Sequence, residues 1–309
     1  MTTPLTPPIT LSDEAKRKLE QASTATLTTQ LINRGFRNTF LQGLDPLRPD
    51  LRMVGYAFTL RFVPTREDLT ETLYDTSTNI QRLAVETIGP EQVLVIDARS
   101  DVSAASFGHI LGTRIQARGA AGLVTDGALR DTPGFRELGF PTYIRAPHAT
   151  TSFLAHHPLE MNVPIGCAGV LIMPGDVLVG DGEGVVAIPA AVAEEVAHGA
   201  YEQELREEFF QQKVAAGASI LGPVGAVLAL PAAATAQGII SASGERYAIE
   251  EGPLTALAKH PAHQANVPSV VTRTLPVHDL PDEVDAKSAD AMPADTMPND
   301  DKGDSAIDT

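Results

Sequence analysis

The segment Gly119–Asp131 carries the densest set of chemically capable residues in the 309-residue chain. It runs from a short apolar stretch into Asp126-Gly127 and then into the adjacent pair Arg130 and Asp131. The Arg130 guanidinium is a planar fork that can hold a carboxylate through two parallel hydrogen bonds. The Asp131 carboxylate is a hard oxygen ligand of the kind that Mg2+ and Mn2+ prefer. The pair therefore predicts a site for an anionic, carbonyl-bearing substrate beside Mg2+ or Mn2+.

Beta-branched runs separated by helical stretches predict the frame that positions this pair. Strands at Val93–Asp97 and Leu123–Asp126, with room for a crossover helix in Ser103–Arg118, are typical of an α/β domain with mixed sheets. Substrates in such folds bind beyond the carboxyl ends of the strands, because the loops converge there. The other strand candidates are Tyr56–Val63, Thr142–Ile144, Val170–Met173, Val177–Val179 and Val185–Ile188.

Helix signals flank this pattern. Ser12 precedes two acidic residues and predicts a helix start. A second helix is expected over Thr28–Arg34, and a long one over Ala190–Ala216, where apolar residues recur at helical spacing and Gly217 follows.

A plainer interpretation of the Arg-Asp segment stays open beside the functional one. Asp126-Gly127 is a common turn dipeptide, and Arg130 and Asp131 could form a solvated surface pair. Asp97, at the end of a predicted strand, either supports the site or caps a turn.

Two further residue types are interpreted as structural. His156 and His157 are adjacent rather than four apart, which argues against a shared helical zinc site and predicts loop or surface positions. Cys167 lies in an apolar run and is expected to be a small core residue.

Composition excludes several classes of protein. The chain has 39 acidic and 23 basic residues, for a formal charge of -16, which argues against partners such as nucleic acid or an anionic membrane. A single cysteine excludes an intrachain disulfide framework and Cys-rich zinc sites. No apolar run reaches the roughly 18 residues of a membrane span, and the first residues lack a signal-peptide pattern, so a cytoplasmic protein is expected.

Charge and composition divide the chain into three parts. Residues 10–221 are expected to form the compact domain, and residues 222–276 an Ala-rich, weakly structured segment. Residues 277–309 are expected to be a disordered acidic tail, because ten acidic residues, two lysines and no aromatic residue follow Leu275.

Several motifs in combination resemble the signature of the RraA-like family. The family includes the class II 4-hydroxy-4-methyl-2-oxoglutarate/4-carboxy-4-hydroxy-2-oxoadipate aldolases and the regulator of ribonuclease activity. The resemblance covers about residues 20–221 and implies a swivelling β/β/α-type fold, a homotrimer or dimer of trimers, and active sites between subunits. The motifs that carry it are Gly108-His109-Ile110-Leu111, Ala117-Arg118-Gly119-Ala120-Ala121-Gly122, Val124-Thr125-Asp126-Gly127 and Arg130-Asp131.

The resemblance also implies roles for individual residues. Arg130 matches the substrate-binding arginine, and Asp131 matches the metal-ligating aspartate. The stretch Gly108-His109-Ile110-Leu111 matches the loop whose backbone N–H groups hold a pyruvyl carboxylate. A glutamate from the late helix of a neighbouring subunit completes the family's site; Glu207 is the best match and Glu204 the fallback, although either could lie on a solvated helix face.

This chain departs from the family pattern at two positions. His109 stands where the family usually has an acid, and Thr29 stands where the early helix usually starts with an aspartate. An acid at position 109 would help to hold metal-bound waters or to orient Arg130. An imidazole could replace it only in holding the waters, and only in its neutral form.

These residues are therefore consistent with two functions. The first is a metal-dependent lyase that cleaves a small 4-hydroxy-2-oxo acid by a retro-aldol reaction to pyruvate, with oxaloacetate decarboxylation as a side activity. Such chemistry needs a Schiff-base lysine or a metal as electron sink, and no lysine lies between residues 19 and 212, so a metal is expected. The alternative is a non-catalytic protein of the same fold whose acidic surface binds and inhibits a ribonuclease.

Overall fold

The computed structural model describes residues 10–69, 75 and 77–221, together with the backbone of 239–240 and 246–247. Contacts divide the chain into two units, Met1–Ala265 and Asn266–Thr309, and every described residue belongs to the first. The backbone of Ile239–Ile240 pairs with that of Arg246–Tyr247 in a short antiparallel ladder. The rest of the predicted Ala-rich segment, and all of the predicted acidic tail, lie outside the described residues.

Serine hydroxyls cap the first two helices. The Ser12 hydroxyl accepts the Ala15 N–H at 3.1 Å, as its position before two acids predicts. The expected start of the second helix at Thr28 is wrong, because the Ser23 hydroxyl caps the Thr26 N–H and starts that helix earlier. The helices are α1 (Asp13–Gln21), α2 (Thr24–Asn33), α3 (Ile80–Thr87), α4 (His109–Ala117), α5 (Thr132–Leu138) and α6 (Ala193–Ala215).

The strands mostly extend the predicted apolar runs at one or both ends, because backbone pairing continues past the apolar residues. They are β1 (Asp45–Pro46), β2 (Met53–Pro64), β3 (Gln92–Asp97), β4 (Ala105–Phe107), β5 (Gly122–Leu129), β6 (Thr142–Pro147), β7 (His156–Met161), β8 (Ile165–Cys167), β9 (Val170–Ile172), β10 (Val177–Gly180) and β11 (Val185–Ile188).

One large mixed sheet organises the domain. Its order is β1-β6-β5-β3-β2-β10-β11, with β4 also paired to β5 and β7 also paired to β2. The pairs β2–β3, β3–β5, β4–β5 and β5–β6 are parallel, whereas β2–β7, β2–β10, β10–β11 and β1–β6 are antiparallel. This arrangement confirms the expected α/β class with mixed sheets.

Alternate residues of the central strands enter cores on opposite faces of the sheet. In β3, Leu94 and Ile96 pack with the residues of α3, α4 and α5, whereas Val93 and Val95 pack toward the β8–β9 hairpin. A third core joins α1, α2 and α6 to β10 and β11. Within the described ranges, no helix is long and apolar enough to cross a lipid bilayer.

Candidate functional site

Strand β5 carries the Arg-Asp pair to the carboxyl-terminal edge of the parallel strands. All eight residues of Gly122–Leu129 are buried, and Arg130 and Asp131 emerge directly after them. The two side chains are 43% and 47% exposed, with Arg130 Nε 3.3 Å from Asp131 Oδ2. The pair is therefore accessible to a small molecule and is already oriented by an internal contact.

Gly108 brings the start of α4 against this pair. The Arg130 N–H donates to the Phe107 carbonyl at 3.1 Å, which fixes the end of β4 to the end of β5. A Cβ at Gly108 would lie 3.1 Å from Arg130 Cγ and 3.4 Å from Asp131 Oδ2. The structure thus brings together the two predicted parts of the site, and glycine allows their close approach.

The first turn of α4 offers backbone N–H groups beside Asp131. The His109 N–H reaches Asp131 Oδ2 at 3.4 Å, and the Leu111 N–H is used by the Gly108 carbonyl at 3.1 Å. The Ile110 N–H meets no acceptor among the described residues, and its side chain is 80% exposed. The Ile110 N–H, and in part the His109 N–H, can therefore donate to an anion, which the positive end of the helix dipole also attracts.

The His109 imidazole lies at the contact between α4 and α5. Its ring makes an edge-on contact with Phe135 at a centroid distance of 5.7 Å. A Cβ at Gly134 would lie 3.1 Å from three atoms of the imidazole, so the ring packs directly on that glycine. His109 consequently helps to set the spacing of the two helices whose first residues form the site.

Asp131 has the chemistry of a ligand for a hard divalent ion. Its backbone is left-handed, with φ 59° and ψ 33°, a conformation that aspartate tolerates better than most residues. Its Oδ2 receives Arg130 and His109, while Oδ1 accepts no hydrogen bond from the described residues. Mg2+ commonly binds one or two carboxylates and completes its shell with water and substrate, so a single exposed carboxylate fits it. No group of three or more His, Cys, Asp or Glu side chains forms a metal cluster in the part of the chain described.

Asp126 is not part of a surface turn, so that half of the plainer interpretation is wrong. Asp126 and Gly127 lie inside β5, where the register with β6 shifts by one residue between Thr125 and Ala128. Asp126 is 2% exposed, and its carboxylate accepts the N–H groups of Ala98 and Ser100 at 2.7 and 2.9 Å. An acidic residue inside an apolar run is the sequence signal for a buried, hydrogen-bonded carboxylate. The sequence does not identify its partners, because they lie more than twenty residues away.

Asp97 caps the turn that follows β3, as one of its two interpretations predicts. Its Oδ1 accepts the Arg99 N–H at 2.9 Å, and burial raises the pKa of its carboxyl above the usual range. Arg99 and Ser100 have φ of 60° and 55°, a conformation that costs a non-glycine residue about 1 kcal/mol or more. The hydrogen bonds to Asp97 and Asp126 compensate for this strain.

His156 is a core residue, and the expectation of a loop or surface position is wrong. It is fully buried at the start of β7 and lies against Phe62 at a centroid distance of 5.8 Å. Its Nε2 lies 3.0 Å from the Ala104 carbonyl and its Nδ1 3.3 Å from Arg99 Nη2, so Nε2 carries the proton of a neutral ring. Burial lowers the pKa of this histidine.

Cys167 occupies the core position that its apolar run predicts. It is fully buried, and its thiol donates to the Ile96 carbonyl at 3.5 Å. Burial raises the pKa of this thiol, which keeps it protonated and unreactive.

The late-helix glutamates lie away from the Arg-Asp pair within one chain. Helix α6 packs on α1 and α2, beside β11 at the far end of the sheet order. Glu204 accepts the Ser23 N–H at 2.7 Å and thereby caps α2. Glu207 is exposed and, among the described residues, accepts a hydrogen bond from the Gln203 amide at 2.7 Å. Thr29 is an exposed residue inside α2 rather than at its start, because that helix begins at Thr24.

A cavity of about 250 Å3 lies at the opposite end of β5 from the Arg-Asp pair. Gly119 and Ala121 line it just before the strand, and Lys16 Nζ bridges both oxygens of Glu91 there at 2.8 Å. The strand separates this cavity from Arg130 by roughly 26 Å, at about 3.3 Å per residue. The cavity is therefore not part of the candidate site.

Comparisons with known proteins bear on the same region. A family model described as Aldolase/RraA, RraA-like, matches residues 24–187. This match spans more than half of the chain and includes both parts of the site, but it ends before α6. A 4-hydroxy-4-methyl-2-oxoglutarate aldolase of Thermus thermophilus is 34% identical over 109 residues, which are 35% of this chain and 65% of that protein.

A Halalkalibacterium halodurans protein with the same activity in its provisional name is 38% identical over 119 residues. The match covers 38% of this chain and 56% of that relative, so the chain spans only about half to two thirds of these curated proteins. The structure of Streptomyces coelicolor RraAS2 is described as an unusual member of the RNase ES inhibitor RraA protein family. It superposes with a TM-score of 0.58 at 33% identity, covering 65% of this chain and 96% of that one.

Proposed function

The chain belongs to the RraA-like family, and from that premise we propose that it is a divalent-metal-dependent lyase acting on a 4-hydroxy-2-oxo acid. The reaction is a retro-aldol cleavage that releases pyruvate. The observation that carries the proposal is the convergence of Arg130, Asp131 and the first turn of α4 at one open edge of the sheet.

The 2-oxo acid end of the substrate binds between the two parts of this edge. Its carboxylate accepts the Ile110 N–H and the guanidinium of Arg130, which can rotate from its 3.3 Å contact with Asp131. These contacts orient the 2-oxo group toward the Asp131 carboxylate. Orientation of this kind accelerates a reaction because it removes the entropy cost of aligning the reacting groups.

Asp131 is the residue that would hold Mg2+ or Mn2+. When bound, such an ion supplies a Lewis acid that polarises the 2-oxo group. A Schiff base cannot replace it in the compact domain, because no lysine lies between residues 19 and 212. Arg130 adds a fixed positive charge near the oxygen on which negative charge develops, and such stabilisation is commonly the largest rate term.

Electron flow defines the products. The C4 hydroxyl gives up its proton to water, and the C3–C4 bond breaks as C4 becomes the carbonyl carbon of the departing fragment. The electron pair of that bond forms a C2–C3 double bond and places negative charge on the 2-oxo oxygen, and protonation of C3 then gives pyruvate. Oxaloacetate reaches the same electron distribution by losing carbon dioxide, so decarboxylation of oxaloacetate is the expected side activity.

The site is proposed to be completed by a neighbouring subunit of a homotrimer or dimer of trimers. Arg130 and Asp131 are nearly half exposed in one chain, which leaves one side of the site open to such a partner. Glu207 is the proposed contribution, since its side chain is exposed, whereas Glu204 is engaged with Ser23.

A second candidate function has a specific observation in its favour. The chain resembles RraAS2 along 96% of that protein, which is described as a member of a ribonuclease inhibitor family. The net charge of -16 suits a protein that occupies a basic RNA-binding face. An inhibitor needs no catalytic metal and would act without releasing pyruvate.

A coupled assay for pyruvate release distinguishes the two functions. The purified full chain is given 4-hydroxy-4-methyl-2-oxoglutarate, 4-carboxy-4-hydroxy-2-oxoadipate or oxaloacetate, with EDTA and then with excess Mg2+ or Mn2+. Pyruvate release that stops in EDTA and returns with metal supports the lyase. Full turnover in EDTA, or a pyruvate adduct trapped by borohydride, excludes the metal-dependent mechanism. In a parallel assay the chain is added to a ribonuclease, and loss of ribonuclease activity without pyruvate release favours the inhibitor.

A further inference from the structure

The carboxylate of Asp126 is buried beneath the candidate site and is fully hydrogen-bonded. Its Oδ1 accepts the Ala98 N–H, while its Oδ2 accepts the Ser100 N–H, the Ser100 hydroxyl at 3.1 Å and the Ala168 N–H at 3.4 Å. Hydrogen bonds to a charged acceptor are stronger than those between neutral groups, so this residue holds the turn after β3 firmly.

The turn that Asp126 holds leads directly to the α4 amides. The segment Ala98–Ala104 returns to the sheet, where the Ala104 carbonyl meets His156 and the Ala105 N–H donates to the Thr150 carbonyl at 3.0 Å. It continues as β4, which pairs with β5 at Ala128 and Leu129 and leads into Gly108, the residue before α4. Asp126 lies in β5, four residues before Arg130, so the same stretch of chain carries both the buried carboxylate and the Arg-Asp pair that follows the strand.

A second buried polar group ties β4 to β5 between these points. The Ser106 hydroxyl lies 2.9 Å from the Thr125 hydroxyl and donates to the Ala128 carbonyl at 3.0 Å. The Gln81 amide donates to the Ser106 carbonyl at 2.8 Å. Ser106 and Thr125 are fully buried and Gln81 is 5% exposed. Buried polar groups are costly unless every partner is in place, so a satisfied network selects one arrangement of the strands.

We propose that Asp126 is a positioning residue of the site: it fixes the segment Ala98–Gly108 against the end of β5 and so sets the spacing between the α4 amides and Arg130–Asp131. The effect of Asp126 on catalysis rests on the proposed lyase function. The effect of Asp126 on the segment Ala98–Gly108 is a property of the fold and does not depend on that function. Gly127 supports this role, because a Cβ there would lie 2.5 Å from Ala98 Cβ and would push the turn away.

Three variants separate positioning from general stabilisation. Asp126→Asn keeps the shape but turns an amide NH2 toward backbone donors, which leaves at least one of them without an acceptor. Ser100→Ala removes only the hydroxyl donor and is the milder test. Asp176→Asn is the matched control, since Asp176 is also a buried carboxylate, 8% exposed, that accepts the Met173 and Ala190 N–H groups at 2.8 and 3.4 Å before β10.

Hydrogen exchange measured by mass spectrometry reads the position of the segment without any assay of activity. At a temperature where every variant is folded, Asp126→Asn should speed exchange in peptides covering residues 98–112 by about tenfold, and Ser100→Ala by about threefold. Asp176→Asn should leave that region at the wild-type rate. In the lyase assay, Asp126→Asn should raise KM for the 2-oxo acid by about tenfold with a smaller change in kcat, because a misplaced amide weakens binding of the carboxylate.

Unchanged exchange in residues 98–112 of Asp126→Asn, or an equal increase in Asp176→Asn, overturns the proposal. If Asp126→Asn does not fold, Ser100→Ala decides, and wild-type exchange in that variant overturns the proposal as well. Calorimetric titration of the wild-type chain with oxalate and Mn2+ tests the proposed function separately. Absence of oxalate binding would reject the lyase, while the exchange result would still decide the role of Asp126.

Discussion

The backbone N–H of His109 lies 3.4 Å from Oδ2 of Asp131, although 22 residues separate them in the chain. This contact joins the first turn of α4 to the residue that precedes α5. A change in either residue therefore alters both the amides that face an anion and the carboxylate that would hold a metal. Substitutions at the site are best interpreted as changes to this shared geometry.

Arg130 and Asp131 are expected to fail in different ways. Arg130→Ala removes a two-pronged anion contact and should lower kcat/KM by roughly 100-fold, which corresponds to about 2.7 kcal/mol. Arg130→Lys should recover little, because an ammonium cannot reproduce the fork. Asp131→Ala removes the proposed metal ligand, so high Mn2+ should partly restore its activity. Steady-state kinetics across a Mn2+ titration measure both effects, and wild-type turnover in both alanine variants would place the reaction elsewhere.

His109→Asp tests the replacement of an acid by histidine. An aspartate there adds a second carboxylate beside Asp131, so we expect tighter Mn2+ binding by about tenfold and unchanged or higher turnover. Mn2+ binding is measured by electron paramagnetic resonance of the free ion, and turnover by pyruvate release. His109→Asn serves as the control without added charge. Equal Mn2+ affinity in both variants would show that position 109 does not face the ion.

Gly112→Ala should separate α4 from α5. A Cβ at Gly112 would lie 2.4 and 2.5 Å from ring atoms of Phe135, which is fully buried and cannot move aside. Overpacking of this kind should lower the free energy of unfolding by about 1–3 kcal/mol, measured by urea denaturation. Gly166→Ala is the matched control, since nothing lies within 4 Å of its Cβ and the residue is exposed. Equal stability of the two variants would contradict the tight helix contact.

His156 should make the folded state sensitive to acid. Burial lowers its pKa in the folded chain, so below the ordinary histidine value of about 6.5 the unfolded chain binds a proton that the folded chain resists. Stability should therefore fall as the pH drops from 7 to 5, with a slope of at most about 1.4 kcal/mol per pH unit from this group. Urea denaturation across this range measures the slope.

His156→Gln should flatten that dependence by removing the titrating ring. His157→Gln is the control, because it is the next residue of β7 and is only half-buried. If the two variants show the same pH dependence as the wild-type chain, another group is responsible for the acid sensitivity.

Local sequence patterns predicted the position of the Arg-Asp pair but not what supports it. The sequence predicts a strand over Leu123–Asp126 with Arg130 and Asp131 beyond its end, whereas in the structure the strand continues to Leu129 and both residues follow it directly. Asp126-Gly127 resembles a turn because that dipeptide tolerates left-handed backbone, yet distant N–H groups at Ala98 and Ser100 hold Asp126 inside the strand. The pattern could not show this, because the partners belong to another part of the chain.

Non-local packing explains the other differences from the sequence-based predictions. His156 is buried because it packs against Phe62 and is hydrogen-bonded to the Ala104 carbonyl. Neither partner is near it in sequence, so the local pattern does not indicate burial. The start of α2 depends on the Ser23 hydroxyl, which outweighs the modest helix propensity of the threonines that follow. Conversely, the sequence predicts the long helix α6 to within three residues at its start and one at its end, because the helical spacing and the following Gly217 are local signals.

The pairing of β2 has a consequence for how the chain folds during synthesis. This strand is complete only when β7 and β10 lie along it, and those strands follow it by about one hundred residues or more. Contacts between such distant residues form slowly, because the entropy cost of closing a long loop comes before the stabilising free energy of the contacts. Until Val177 has left the ribosome, one edge of β2 in the nascent chain is therefore unpaired. That edge can pair wrongly with strands of other chains.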